Sequence, residues 1–104
     1  MSDSRDALRI ERADANGVRV SGAIGFADAS EAVKRTGELF AGGAKDVAVD
    51  LGGMSRADSA TLGVLLIWAA TAATRGVKLR FVNPPKGLQA LAHLCDAEPL
   101  LGLA

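Results

Sequence analysis

The feature that most constrains what this chain can fold into is the stretch Asp50-Leu51-Gly52-Gly53-Met54-Ser55-Arg56-Ala57-Asp58-Ser59-Ala60-Thr61-Leu62-Gly63-Val64-Leu65-Leu66-Ile67-Trp68, which reads as strand, loop and helix in immediate succession. Val47, Ala48, Val49 and Leu51, closed by Gly52-Gly53, suit a strand buried in a parallel sheet, predicted over Asp46 to Leu51. Asp58 and Ser59 stand where an apolar helix begins, and both residue types accept hydrogen bonds from the unpaired amides of a first turn. A serine at a helix start is most often only a cap. A hydroxyl at the positive end of a helix can also receive a phosphoryl group or contact a partner. Position leaves both readings of Ser59 open.

Around this centre, Leu8-Arg9-Ile10-Glu11 and Val18-Arg19-Val20-Ser21 alternate apolar with polar and flank Asn16-Gly17, predicting an antiparallel hairpin. Asp28-Ala29-Ser30-Glu31 has capping-box spacing, and Val33, Leu39 and Phe40 give the next helix an apolar side as far as about Phe40, before Gly42-Gly43. The second helix is predicted from Ser59 to Arg75 and a strand from Val77 to Val82. Pro85 then fits the first turn of a third helix, in which Leu88, Leu91, Ala92 and Cys95 share a face. Leu100, Leu101 and Leu103 are expected to pack a last short segment. The order β-β-α-β-α-β-α predicts an α/β fold, with a hairpin and then parallel crossovers in one four-stranded mixed sheet, covered by three to four helices, all within one domain over 1–104.

On a helical wheel, Leu62, Leu65, Leu66, Ala69 and Ala73 fall together and are expected to face the sheet. The other side carries Ala60, Val64, Ile67, Trp68 and Thr71, with no charge before Arg75. Such a helix is either buried on both sides or exposes a patch for a partner, which leaves Trp68 as peripheral core or as an interface anchor.

Charge narrows the function classes. Twelve Lys+Arg balance twelve Asp+Glu, so nucleic acid is not an expected partner. The polar start Met1-Ser2-Asp3-Ser4-Arg5-Asp6 lacks the apolar stretch of a secretory signal, and Ser59 to Thr74 is too short and dilute to span a bilayer, so a cytoplasmic protein without direct membrane insertion is expected. A single histidine, His93, and a single cysteine, Cys95, make no zinc site, and Gly42-Gly43-Ala44-Lys45 lacks phosphate-loop spacing. Asp50 and Asp58 are explained by a strand end and a helix cap. A binding module, with no catalytic residue, metal or cofactor, is the better class.

Asp50-Leu51-Gly52-Gly53 and Asp58-Ser59-Ala60-Thr61-Leu62-Gly63 together resemble the STAS domain family, named for sulfate transporters and anti-sigma factor antagonists. In that family Asp-Ser-Ser-Gly-Leu-Gly opens a helix, and its first serine, matched here by Ser59, is the phosphoacceptor. Ala60 and Thr61 replace the second serine and the glycine. Leu65-Leu66-Ile67-Trp68, Arg75-Gly76, Leu79-Arg80-Phe81, Leu88-Gln89-Ala90-Leu91-Ala92-His93-Leu94 and Leu100-Leu101 are similar to the branch that serves as the cytoplasmic subunit of Mla-type phospholipid-transport ABC complexes. This resemblance implies a non-catalytic subunit, peripheral at the bacterial inner membrane, that binds the transporter ATPase through Asp58, Ser59, Ala60, Thr61, Val64, Ile67 and Trp68. The alternative it implies is an anti-sigma factor antagonist that binds a kinase-type anti-sigma factor under control of phosphorylation at Ser59.

Overall fold

The computed structural model describes residues 7–101 of the chain. Its elements are β1 (Arg9–Asp14), β2 (Gly17–Ala23), α1 (Phe26–Lys34), a 3-10 segment (Arg35–Phe40), β3 (Asp46–Arg56), α2 (Ser59–Thr74), β4 (Lys78–Val82), α3 (Lys86–Leu94) and α4 (Glu98–Leu101). One sheet has the order β1-β2-β3-β4, antiparallel between β1 and β2 and parallel thereafter. The predicted α/β architecture and mixed sheet are therefore present.

The hairpin turn at Asn16-Gly17 is tied into the sheet by its own polar groups. Asp14 Oδ1 accepts from the Asn16 amide at 2.8 Å, while Asn16 Nδ2 donates to the Asp46 carbonyl at 3.1 Å. Arg12 extends the same anchoring sideways, donating to the carbonyls of Glu38 at 2.8 Å and Leu39 at 3.1 Å. Gly42 leaves room for that guanidinium, since a Cβ there would lie 2.8 Å from Arg12 Nη1 and from the Ala15 carbonyl oxygen.

Val18 and Val20 on β2, Val47, Val49 and Leu51 on β3, and Phe81 on β4 form the inner sheet face, packed with Leu62, Leu65, Trp68 and Ala72 of α2 and Leu88 and Ala92 of α3. The alternate positions Arg9, Glu11, Arg19, Asp46, Lys78 and Arg80 are exposed, so the helices cover one face and leave the other polar. Opposite charges neighbour one another across that open face: Glu11 and Asp50 both register with Arg19, and Arg80 pairs with Asp46 at 3.1 Å.

Several boundaries differ from expectation. The helix predicted from Asp28 to Phe40 starts two residues earlier, and Asp28 lies in its first turn with Oδ2 accepting from the Gly25 amide at 3.1 Å. It becomes 3-10 from Arg35, where the Thr36 hydroxyl donates to the Val33 carbonyl at 2.6 Å. β3 continues through Gly52-Gly53 to Arg56 because β2 remains alongside; Gly53 registers with Ser21, and a Cβ on it would meet Ser21 Cβ at 2.9 Å. Pro85 precedes α3 rather than entering it. Cys95 is exposed at the end of α3, not on its buried face, and Leu100 is exposed while Leu101 is buried. Leu103 lies outside the described residues.

Candidate protein-docking site

The start of α2 is built by Asp58 rather than by Ser59. Asp58 Oδ1 accepts from the amides of Ala60 at 2.9 Å and Thr61 at 3.2 Å. The box closes when Thr61 Oγ1 accepts from the Asp58 amide at 3.1 Å. The same hydroxyl donates to the Ile24 carbonyl at 2.7 Å, so buried Thr61 fastens the first turn of α2 to the segment leading into α1. Ser59 is the first helical residue and is exposed, and no hydrogen bond joins its hydroxyl to the described residues. Of the two readings left open for Ser59 the cap falls away, because the Asp58 carboxylate, read from the sequence as a helix cap, already holds the free amides. What remains is a bare hydroxyl at a positive helix end.

The buried arc of α2 comprises Thr61, Leu62, Val64, Leu65, Trp68 and Ala72. It is turned by about a quarter of a revolution from the predicted stripe. The reason is that α2 packs beside α1 as well as over the sheet. Trp68 has no exposed surface, and its indole N–H donates to the Ala32 carbonyl of α1 at 3.3 Å. The expectation that Trp68 contacts a partner is corrected to the core alternative. Thr61 and Val64 are also buried, whereas Asp58 and Ser59 are exposed, Ala60 is half-buried and Ile67 is 45 % exposed. Leu66 and Ala69 are half-buried and Ala73 is exposed; these three flank α4 beside Leu100 around a second apolar depression of about 360 Å³.

Next to Ser59, α1 and α2 enclose an open groove of about 490 Å³. Its α1 wall carries Phe26, Ala29, Ser30, Val33 and Lys34, and its α2 wall Ala60, Gly63, Val64 and Ile67. Phe26 is 87 % exposed and Val33 is 36 % exposed. Large side chains so placed, side by side with Ile67, form a contiguous exposed apolar patch rather than scattered surface hydrophobics. Phe26 was missed in the sequence, although a signal existed: at helical spacing it shares a face with Ser30 and Val33, not with buried Ala32.

The titratable groups elsewhere serve structure. Asp50 Oδ1 accepts from the Gly52 amide at 2.8 Å and from Asn83 Nδ2 at 3.2 Å. The Gly52 amide first, then the Asn83 amide, holds the Asp50 carboxyl below the usual range. His93 is exposed, with Nδ1 2.9 Å from Glu98. Among the described residues no cluster of three or more His, Cys, Asp or Glu side chains has metal-binding geometry.

Comparison with known proteins agrees with this fold. The sequence family described as Mlab, STAS domain matches residues 8–102. No curated protein matches the sequence. Among solved structures, the anti-sigma factor antagonist SpoIIAA in its unphosphorylated form superposes with a TM-score of 0.68 at 15% identity, covering 90% of this chain and 84% of that one. A putative anti-sigma factor antagonist from Thermotoga maritima gives 0.69 at 16% identity, over 90% and 82%. An anti-sigma factor antagonist from Mycobacterium paratuberculosis gives 0.68 at 19% identity, over 95% and 86%. At these identities the likeness is one of fold.

Proposed function

The chain belongs to the STAS domain family, and from that premise we propose that it is a non-catalytic subunit binding the cytoplasmic ATPase of a bacterial inner-membrane ABC phospholipid transporter and supporting its assembly and activity. The observation that carries this reading is the apolar groove between α1 and α2, which opens directly beside the exposed hydroxyl of Ser59. A groove with Phe26 and Ile67 at its rim is built to bury surface against another protein. The description of the matching family supports the transporter branch. No helix of the described residues is long and apolar enough to cross a membrane, which is consistent with a cytoplasmic subunit held at the bilayer by its partner.

One observation favours a second reading. Ser59 stands at the phosphoacceptor position of the motif with its hydroxyl free, as an anti-sigma factor antagonist controlled by a kinase-type anti-sigma factor requires. The test is reconstitution with each purified candidate from the same organism, an ABC ATPase and a kinase-type anti-sigma factor. The transporter reading expects a stoichiometric complex with the ATPase that Phe26→Ser disrupts, and no phosphate on Ser59 after incubation with ATP and the kinase. A phosphorylated Ser59 and no complex with the ATPase would replace it with the second reading.

A further inference from the structure

Gly63 lies in the interior of α2 and lines the groove. Glycine weakens a helix interior relative to alanine, so its presence calls for a reason. The backbone supplies none, because Gly63 is not among the glycines with positive φ. Packing within the chain supplies none either, since a Cβ at Gly63 would meet nothing within 4 Å. What Gly63 does supply is a stretch of bare helix backbone on the groove wall, open to close approach from outside the chain. Lys34, at the opposite end of α1 from Phe26, is the one charged residue lining the groove among the described residues.

These observations constrain what fills the groove. Its walls are helices, whose interior backbone amides and carbonyls are already paired, so an added strand would find no ladder to join. A helix brings its own backbone bonds and needs only an apolar stripe. The α1 wall has nine residues, about 13 Å at the helical rise, which matches two to three turns of such a partner.

Resting on the reading of this surface as a protein-docking site, we infer that the groove takes a single amphipathic helix of the partner, seated against the bare backbone of Gly63, with an acidic residue of that helix paired to Lys34. Phe26 and Ile67 close over its apolar stripe from either side. Lys34 fixes which end lies where.

The probes are two designed helical peptides of equal length with leucines at i, i+3, i+4 and i+7, one carrying glutamates and the other lysines at the same end. Binding to the full chain is followed by fluorescence anisotropy beside thermal melting of each variant. The acidic peptide is expected to bind severalfold more tightly than the basic one, and Lys34→Glu to reverse that order. Gly63→Leu should abolish binding of both peptides, while Gly63→Ala should weaken it and yet raise the melting temperature. Stability rising while affinity falls separates an interface glycine from a structural one. Equal binding of the two peptides, binding indifferent to Gly63→Leu, or a concentration-dependent dimer of this chain that Gly63→Leu dissolves would each overturn the inference. If an ATPase complex sensitive to Phe26→Ser persists while the peptides show no preference, the docking surface stands and only the helical occupant fails.

Discussion

Removing the Asp58 carboxylate and removing the Ser59 hydroxyl are expected to have very different consequences, although the residues are adjacent. Asp58 holds two first-turn amides, so Asp58→Ala should cost about 1 kcal/mol. In a domain of this size that lowers the melting temperature by about 4–8 °C. Ser59→Ala deletes an exposed hydroxyl without a protein partner and should change stability by less than about 0.5 kcal/mol. Its effect should instead appear in partner affinity. Thr61 is the third member of the turn and the most demanding: Thr61→Val leaves the Ile24 carbonyl and the Asp58 amide without their partner, at a cost of about 1–3 kcal/mol. Melting curves of the three variants check this order. The motif made the turn and its Asp58 cap legible; it did not show that Thr61 closes the box and reaches across to the Ile24 carbonyl, which is a long-range contact.

At the scale of elements, α2 shows what periodicity can and cannot reveal. Its apolar character and its start at Ser59 were readable because no charge interrupts the run, and it ends at Thr74, one residue before the predicted Arg75. Its orientation was not, because a helix apolar all round has no strong moment to say which arc faces in. That choice was made by the neighbour α1, whose Ala32 carbonyl accepts from the buried Trp68 indole, while Ile67 is left out. Trp68→Ala is accordingly expected to destabilise by about 3–5 kcal/mol, measured by denaturant unfolding, as loss of a buried aromatic does. The strand β3 was legible as far as Leu51; its extension depends on β2 remaining alongside, which is a long-range fact. Asp50 ties that strand to Asn83 at the end of β4, and the pairing carries a pH signature. Its folded pKa is lowered, so its contribution to stability is complete above the unfolded aspartate pKa and disappears as pH falls through the folded value. The stability gap between the wild type and Asp50→Ala should therefore be constant near neutrality and narrow on acidification, in chemical denaturation repeated across pH.

For the whole molecule, the helices lie on one side of a sheet whose other face is charged, which leaves the outer surface of the helical layer as the apolar exterior. This division places the chain's single tryptophan and its most exposed phenylalanine on opposite sides of one helix pair: Trp68 faces inward between α1 and α2, and Phe26 faces outward from α1. Fluorescence can read that arrangement directly. Trp68 is fully buried, so its emission should be blue-shifted, resistant to quenching by iodide, and unchanged when a partner fills the groove. Phe26→Trp introduces a second emitter on the groove rim, where an aromatic of similar shape should leave the melting temperature nearly unchanged because the site makes little contact with the core. Its emission should be red-shifted and readily quenched in the free chain, then move to the blue and become protected when a partner fills the groove. A Trp68 signal that responds to the partner while the Phe26→Trp signal does not would reverse the two surfaces, and with them the placement of the docking site.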